Sequence, residues 1–215
     1  LAPLSGAVRL RELYLENTNV SDLTPLTNAT ELNKLDLRNT NVSDITPLKR
    51  AIQLRELQLS DTNVIDLSPL REIGSLEQLN LTATNVTDLS PIESSIRLQN
   101  LHLSLTGVSD LNPLTKMTGL LNLYLASTEV SDISPLKGMI NLRELYLSRT
   151  DVSDLAPLKG MMNLERLYLG RTLVVDLSPL SKLKNLKKLV LKATQVSDEQ
   201  IAALQEALPD CEIFR

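Results

Sequence analysis

The sequence predicts an elongated α/β solenoid in which each coil adds one strand to a single parallel β-sheet. Three observations indicate this fold: a 22-residue period, an alternation of apolar and polar residues within each unit, and columns of Asp and Pro that return the chain to the next strand. A fixed period of this length is typical of proteins whose coils bury their apolar edges only against neighbouring coils. The nine units, here called coils one to nine, share the pattern L-x-x-L-x-L-x-x-T-x-V and begin at Leu10, Leu32, Leu54, Leu76, Leu98, Leu120, Leu142, Leu164 and Leu186.

The boundaries of the array follow from the same alignment. We expect the repeats to occupy residues 1–196, with a partial repeat at 1–9, and a C-terminal cap to occupy 197–215. The opening LAPLSGAVRL matches the second half of a unit, as in Leu155 to Leu164. We therefore expect the natural protein to continue upstream with further repeats, a cap or a separate domain.

The first part of each unit predicts a strand. In the segment L-x-x-L-x-L, for example Leu142 to Leu147, apolar and polar residues alternate over the second half, which indicates one buried face. Neighbouring strands about 4.8 Å apart would make a sheet of roughly 40 Å over nine coils. We expect positions 1, 4, 6, 11, 14 and 17 of each unit to point inward and to fill a narrow aliphatic core.

A threonine occupies position 9 of every unit, just after the strand. At this point the backbone turns away from the sheet and leaves amide and carbonyl groups without strand partners. A buried hydroxyl has one donor and two acceptor lone pairs. We therefore expect this column to satisfy some of those groups and to link one coil to the next. The column is Thr18, Thr40, Thr62, Thr84, Thr106, Thr128, Thr150, Thr172 and Thr194.

An aspartate occupies position 13 of every unit, from Asp22 to Asp198, and in eight units a proline follows three residues later. Proline fixes the backbone where an N–H is dispensable, and the aspartate can cap the short helical turn that it precedes. A calcium ladder would need glycine-rich loops with several oxygen ligands per ion, whereas this chain has 7 glycines and one such carboxylate per coil. We interpret the column as structural and expect no metal or other cofactor.

The end of the array departs from the repeat and predicts a helical cap. Ser197 followed by Gln200 resembles a capping box, and Pro209 marks the end of the helix. A last short strand, Cys211 to Phe214, is expected to cover the open core of coil nine. The apolar face of the helix contains Ile201, Leu204 and Leu208.

Composition excludes several classes of protein. No apolar run approaches the ~18 residues that a membrane helix needs, so we expect no membrane insertion. The net charge is −4, and residues 120–194 hold 11 Lys and Arg against 7 Asp and Glu. This basic band is too weak to indicate nucleic-acid binding. The single cysteine, Cys211, allows no internal disulfide and leaves the compartment undetermined; we expect a monomer.

These residues resemble the leucine-rich repeat proteins, specifically the short 22-residue class found in bacterial internalins and in a leucine-rich regulatory subunit of protein phosphatase 1. The resemblance rests on nine exact copies of L-x-x-L-x-L and on the [SV]-D-[LI]-x-P-L segment, which is similar to the internalin group. It implies a curved parallel sheet on the concave face, 3₁₀ or short helical turns on the convex face, and a function in protein recognition. This chain has Thr in every coil where the family usually has Asn.

The resemblance makes position 5 of each coil the centre of the exposed concave face. All four tyrosines and the only histidine fall in this column. Tyrosine and arginine are enriched at binding hot spots, so we expect a binding patch on coils five to eight for a protein or peptide with an acidic, partly apolar surface. An alternative is that tyrosine merely favours strands and stacks along the sheet. The candidate residues are His102, Tyr124, Tyr146, Tyr168, Arg143, Arg149, Arg166 and Arg171.

We expect no enzymatic activity from this chain. His102 and Cys211 lie four coils apart, roughly 19 Å along the stack, too far for a nucleophile and its base. His102 has no second histidine to complete a metal site, and there is no glycine-rich phosphate loop. Two function classes remain: a non-catalytic module that binds a partner on the concave face, and a structural spacer or regulatory region of a larger protein whose activity lies in a missing N-terminal part.

Overall fold

The computed structural model describes all 215 residues, and its centre is one parallel sheet of ten strands. The strands follow one another in chain order, and neighbouring strands of the repeat pair each residue with the one 22 positions later. The predicted α/β leucine-rich solenoid is therefore confirmed. The strands are β1 (Glu12–Tyr14), β2 (Lys34–Asp36), β3 (Glu56–Gln58), β4 (Gln78–Asn80), β5 (Asn100–His102), β6 (Asn122–Tyr124), β7 (Glu144–Tyr146), β8 (Arg166–Tyr168), β9 (Lys188–Val190) and β10 (Glu212–Phe214).

Short 3₁₀ turns form the convex side. Each has its proline at the first or second turn position, where the missing N–H costs no bond. In eight coils the Asp of position 13 accepts the N–H two residues later at 2.7 or 2.8 Å, as predicted for a structural column. The turns are Ala2–Leu4, Thr24–Leu26, Thr46–Arg50, Ser68–Leu70, Ser90–Ile92, Asn112–Leu114, Ser134–Gly138, Ala156–Gly160 and Ser178–Leu180.

The core is a single stack of aliphatic side chains between the sheet and the turns. It contains 58 buried residues, and from coil two onward the leucines of positions 1, 4 and 6 are at most 2% exposed. Coil one differs, because Leu10, Leu13 and Leu15 are only partly buried. The predicted inward positions are confirmed in coils two to eight, whereas positions 14 and 17 of coil nine, Glu199 and Ala202, are exposed. Burial of the leucines removes apolar area from water and so stabilises the fold.

Every coil has a left-handed residue at position 8, directly after the strand. The nine φ angles lie between 52° and 61°, and none of the nine residues is a glycine. In coils one to eight the N–H of this residue donates to the position-7 carbonyl of the next coil, for example from Arg149 to Gly170 at 2.8 Å. The left-handed turn thus extends the hydrogen-bonded ladder beyond the three-residue strands. The column is Asn17, Asn39, Asp61, Ala83, Leu105, Ser127, Arg149, Arg171 and Ala193.

The threonine column acts within each coil. Every Thr hydroxyl donates to the carbonyl of the leucine three residues earlier, as Thr106 does to Leu103 at 2.6 Å. The expectation that these hydroxyls satisfy turn carbonyls is confirmed. The expectation that they link neighbouring coils is wrong, because the hydroxyl lies too close to its own strand end and backbone groups already join the coils.

The C-terminal cap consists of helix α1 (Asp198–Ala207) and strand β10. Ser197 caps the helix by accepting the N–H of Gln200 at 3.3 Å. The side chain of Gln200 does not return this bond; it instead accepts the N–H of Leu177 at 3.1 Å and ties the helix to coil eight. Leu204, Leu208 and Cys211 are buried against the last coil, and β10 pairs with β9. The division of the chain at residue 197 stays a prediction.

None of the helices has the length and apolar character that crossing a membrane requires.

Candidate functional site

Four aromatic side chains form a continuous stack on the concave face. His102 and Tyr124 have ring centroids 4.1 Å apart, Tyr124 and Tyr146 4.5 Å, and Tyr146 and Tyr168 4.1 Å, with interplanar angles of 8°, 25° and 9°. We call this stack, His102 through Tyr168, the tyrosine ladder. Since parallel strands place equivalent residues about 4.8 Å apart, the exact 22-residue register alone brings the rings to stacking distance.

Stacking determines which atoms of the ladder remain available to a partner. The ring faces lie against one another, and all four side chains are partly buried. Ring edges and hydroxyl groups are left for contacts with solvent or a ligand. The remaining tyrosine of the column, Tyr14, lies outside the ladder. Its neighbour on the next strand is Asp36 instead of an aromatic residue, and it is 51% exposed.

Glu144 lies beside the ladder and accepts hydrogen bonds from two of its hydroxyls. The distances are 3.4 Å to Tyr124 and 3.2 Å to Tyr146. Burial, together with the negative charge of Glu144, raises the pKa of both tyrosines above the ordinary value of 10.0. Both hydroxyls therefore stay protonated at neutral pH. Each donates its one proton to Glu144, and its oxygen can accept a further hydrogen bond.

The two ends of the ladder differ in charge. At one end, burial lowers the pKa of His102 below 6.5, so the imidazole is mainly neutral at pH 7. At the other end the ammonium of Lys188 lies 5.5 Å from the ring centroid of Tyr168 and 5.1 Å from that of Phe214, within range of a cation–π contact. The ladder thus runs from a neutral imidazole to a cation held between two rings.

The four predicted arginines flank the ladder on two sides. Arg143 directly precedes β7 and Arg166 begins β8, whereas Arg149 and Arg171 follow the ends of these strands. Arg143 is exposed, and Arg166 forms an ion pair with Glu144. The charge of Arg166 is therefore already balanced within the chain, unlike that of the other three.

Beyond the strand ends, coils seven to nine form a shallow hollow of about 260 Å³. Its cations are Arg149, Arg171 and Lys192, and we call it the basic hollow; Ser148, Gly170 and Val190 complete its lining. Ser148, Gly170 and Lys192 follow Tyr146, Tyr168 and Val190 by two residues along their strands. Since alternate residues face the same side of a strand, the basic hollow continues the surface of the tyrosine ladder.

The concave face of coils one to three has a different chemistry. Asp36, only 3% exposed, receives three hydrogen bonds of 2.6 to 3.0 Å from the guanidinium of Arg38. Burial alone would raise the pKa of Asp36, but the bonds from Arg38 outweigh it and lower the pKa. A charged pair that satisfies itself in this way leaves little free charge for a partner.

The structure contains no group of three or more His, Cys, Asp or Glu side chains that could hold a metal ion. Cys211 is buried below the C-terminal cap, and burial raises the pKa of its thiol to about 11. A thiol in this environment is a weak nucleophile at neutral pH.

The aromatic residues of the ladder could be predicted from the sequence, whereas four residues around it were not predicted: Glu144, Lys188, Lys192 and Phe214. Lys188 and Lys192 could have been found, because they occupy concave positions 3 and 7 of coil nine. Glu144 gave no signal, since Glu also occupies position 3 in coils one and three. Phe214 lies outside the repeat, and only its pairing with Val190 reveals its place in the tyrosine column.

Two segments, residues 8–50 and 140–182, match the family model of the Leucine Rich repeats. The chain belongs to the leucine-rich repeat family, the class that its coils and parallel sheet define. Within that family it is of the internalin-like type: it is 31% identical to internalin C2 from Listeria monocytogenes, with a TM-score of 0.84 over 89% of this chain and 83% of that one. No curated protein matches the sequence.

Two further solved structures extend this similarity. An internalin (inlF) from Listeria monocytogenes has a TM-score of 0.96 and 29% identity; the match covers 100% of this chain but 63% of that one. The LRR ectodomain of the plant receptor kinase GASSHO1/SCHENGEN3 from Arabidopsis thaliana, in complex with CASPARIAN STRIP INTEGRITY FACTOR 2, has a TM-score of 0.80 and 18% identity, over 90% of this chain and 25% of that one. At this identity the second likeness shows the fold alone.

Proposed function

We propose that this chain is a non-catalytic recognition module that binds a protein or peptide partner on the concave face of coils five to nine. One observation carries the proposal. The only histidine and three of the four tyrosines form one stack beside cations that have no carboxylate partner within the chain.

The ladder has the physical properties of a binding surface. Its rings are held by stacking and by Glu144, so little side-chain entropy remains to be lost when a partner binds. Ring edges supply apolar contact area, and the tyrosine hydroxyls supply polar contacts. A site with these features favours a partner whose surface is partly apolar.

The cations add a preference for an acidic partner. Arg143, Arg149 and Arg171 are exposed and belong to none of the eight ion pairs. Strand propensity explains tyrosines in a sheet, but it gives no reason for unpaired arginines next to them. The complex formed by the plant receptor ectodomain supports partner binding by this fold in general.

Affinity capture with concave and convex variants tests the proposal. The concave variant is Tyr146→Ala with Arg171→Ala, and a second one reverses charge at Arg149 and Arg171. Lys159→Gln, on the exposed convex turn of coil seven, is the matched control for loss of one charge. We expect a partner that the parent and the control retain, that both concave variants lose, and that high salt weakens.

Circular dichroism first establishes that each variant keeps its fold. If both folded concave variants retain the partner as well as the parent does, the concave face is not the binding surface. The chain would then act as a spacer, which tolerates charge reversal at Arg149 and Arg171.

A further inference from the structure

We infer that the basic hollow is a subsite for a phosphomonoester carried by a side chain of the partner. This inference rests on the proposed function, because the hollow continues the surface of the tyrosine ladder. It goes further by naming the chemical group that coils seven to nine select.

The cations of the basic hollow have no counter-charge within the chain. Three cations, Arg149, Arg171 and Lys192, line a hollow of about 260 Å³, and its lining includes no Asp or Glu. None of the three takes part in an ion pair. All three side chains are exposed and line the same hollow.

The amides of the two left-handed arginines are already used within the sheet, so these residues bind a ligand through their side chains. The backbone N–H of Arg149 donates to Gly170 and that of Arg171 donates to Lys192, both at 2.8 Å, so neither amide is free. A guanidinium presents a planar fork of donors that matches two oxygens of a phosphate. The hydroxyl of Ser148 makes no hydrogen bond within the chain and adds a further donor.

Gly170 keeps the floor of the hollow open. A Cβ at this position would lie 3.2 Å from the carbonyl oxygen of Lys192 and 3.6 Å from the hydroxyl of Ser148. The other coils place a side chain here, including Arg38, Thr82 and Ser104. Its absence in coil eight gives a ligand room between the two arginines.

The number of cations favours a doubly charged ligand. A carboxylate carries one negative charge, whereas a phosphomonoester carries about 1.5 to 2 at pH 7 and offers three acceptor oxygens. Three donor-bearing cations therefore match a phosphomonoester more closely in both charge and hydrogen bonding. A sulfate ester has the same tetrahedral shape with one charge fewer, which makes it a useful comparison.

The cluster of unpaired cations is specific to coils seven to nine. The equivalent columns of coils one to three form a hollow lined by Glu16, Asn17, Arg38, Asn39, Ser60 and Asp61. Its only cation, Arg38, is paired with Asp36. The repeat thus builds a hollow at both ends of the array, but only the C-terminal one collects unpaired cations.

The probe is N-acetyl-O-phosphotyrosine amide, and its sulfotyrosine analogue is the comparison. Binding of each probe is monitored by NMR of the backbone amides of the protein. We expect the phosphate probe to shift the amide resonances of Ser148, Gly170 and Lys192. The shifts should titrate with a Kd of about 1 mM. Binding should tighten between pH 5 and pH 7, as the phosphate loses its second proton near pH 6. The sulfate probe should bind about tenfold more weakly, through loss of one charge-assisted contact.

The variant Arg149→Asn with Arg171→Asn removes the guanidiniums and keeps a residue type that coils one and two use at the same left-handed position. It should lose the phosphate response, whereas Lys159→Gln should keep it. Equal binding of phosphate and sulfate probes, or an unchanged response in the folded Asn variant, would overturn the inference. If the double variant fails to fold, Arg171→Asn alone is measured against the same criteria.

Failure of this inference is distinguishable from failure of the proposed function. If a captured partner depends on the tyrosine ladder but binds equally after treatment with phosphatase, the recognition module stands and the phosphate subsite is wrong. If the partner is lost after phosphatase treatment and with the Asn variant, both are supported. If capture depends on neither the ladder nor the hollow, both are wrong.

Discussion

The carboxylate of Glu144 accepts a hydrogen bond from the hydroxyl of Tyr146 at 3.2 Å, and the same carboxylate pairs with Arg166. This contact connects the tyrosine ladder to the charges at the start of β8. The substitution Glu144→Gln removes the negative charge and leaves the guanidinium of Arg166 without its ion-pair partner. It is therefore expected to alter the ladder electrostatically while keeping a side chain of similar size.

Spectrophotometric titration of tyrosinate measures this effect. Burial and the charge of Glu144 raise the pKa of Tyr124 and Tyr146, so Glu144→Gln should lower both pKa values while leaving them above 10.0. Glu165→Gln, which breaks a pair with Lys187 instead, is the control and should have no such effect. A titration curve that is identical for the parent and Glu144→Gln would contradict the assignment.

The raised tyrosine pKa values also make stability depend on alkaline pH. A group that holds its proton more tightly in the folded state contributes stability that is complete below the unfolded pKa, near 10, and is lost as the pH rises through the folded pKa. Thermal unfolding of the parent should therefore occur at lower temperature above pH 10. Tyr146→Phe should make the unfolding temperature fall less steeply with rising pH.

Replacement of a buried threonine tests the role of the hydroxyl column. Thr106, 6% exposed, donates to Leu103 at 2.6 Å, and Thr106→Val keeps the shape but leaves that carbonyl without its hydroxyl donor. We expect a loss of about 1 to 2 kcal/mol in the free energy of unfolding, measured with urea. Thr18 makes the same bond in the exposed first coil, so Thr18→Val should cost less because water can replace the hydroxyl. Equal losses at both sites would contradict this explanation.

The aspartate column should control stability in acid. Hydrogen bonds from the residue two positions later lower the pKa of Asp44, Asp66 and Asp132 below the ordinary 3.8. Their contribution is therefore present above the unfolded pKa and is lost as the pH falls through the lowered folded values. Thermal melts from pH 6 to pH 2 should show a steep decline below pH ~4.

Asparagine variants separate charge from geometry in this column. Asp44→Asn, Asp66→Asn and Asp132→Asn retain an oxygen acceptor and should flatten the acid decline. Asp151→Asn changes an exposed carboxylate that accepts no hydrogen bond, so it serves as the control. An undiminished acid slope in the triple variant would show that these turns do not depend on the charge.

The left-handed residue of coil seven should limit stability. Arg149 has a φ of 61°, a conformation that costs most side chains about 1 to 2 kcal/mol and that Asn tolerates better. Arg149→Asn should therefore raise the free energy of unfolding by up to about 1 kcal/mol. Arg143→Asn, outside the left-handed column, is expected to give no gain. A loss of stability in Arg149→Asn would indicate that the guanidinium makes a stabilising contact.

His102 offers a direct probe of the ladder, because a single histidine gives one set of imidazole signals in NMR. Burial lowers its pKa below 6.5, and stability tied to this shift should be lost as the pH falls through the folded pKa. Tyr124→Ala removes the ring stacked on the imidazole and should return the pKa toward 6.5. Tyr14→Ala, far along the sheet, should leave it unchanged. A parent pKa at or above 6.5 would contradict the burial of His102.

Much of the fold could be predicted because each column repeats. The inward leucines recur in all nine units, and the convex aspartate and proline recur together in every unit but the last. A position whose role is unclear in one copy is clear from the other copies, so the repeat defines the strand, the core and the convex turn. The left-handed residue escaped prediction because its side chain varies from Asn17 to Leu105 and Arg171. Only Asn17, Asn39 and Asp61, of types enriched in this conformation, gave a signal.

The candidate site could be predicted only in part. Register alone brings Tyr124, Tyr146 and Tyr168 together, so the ladder follows from counting. The pairing of Arg166 with Glu144 could not be predicted by counting. Whether a charged side chain extends into solvent or pairs with a neighbour depends on distances that only the three-dimensional structure gives. The second bond of the capping box failed for a similar reason: Gln200 found the N–H of Leu177, 23 residues away in the chain.

The stacking distance of the ladder also sets a length scale for whatever lies on it. Its ring centroids lie 4.1 to 4.5 Å apart, whereas an extended strand presents side chains on one face about every 6.8 Å and a helix rises about 5.4 Å per turn. A single partner strand laid along the solenoid axis therefore meets a ring with only about every second side chain of its facing side. Under the proposed function, the successive strands of a partner sheet, spaced like the coils themselves, would keep step with the ladder, and the period of the repeat would select partners by their geometry.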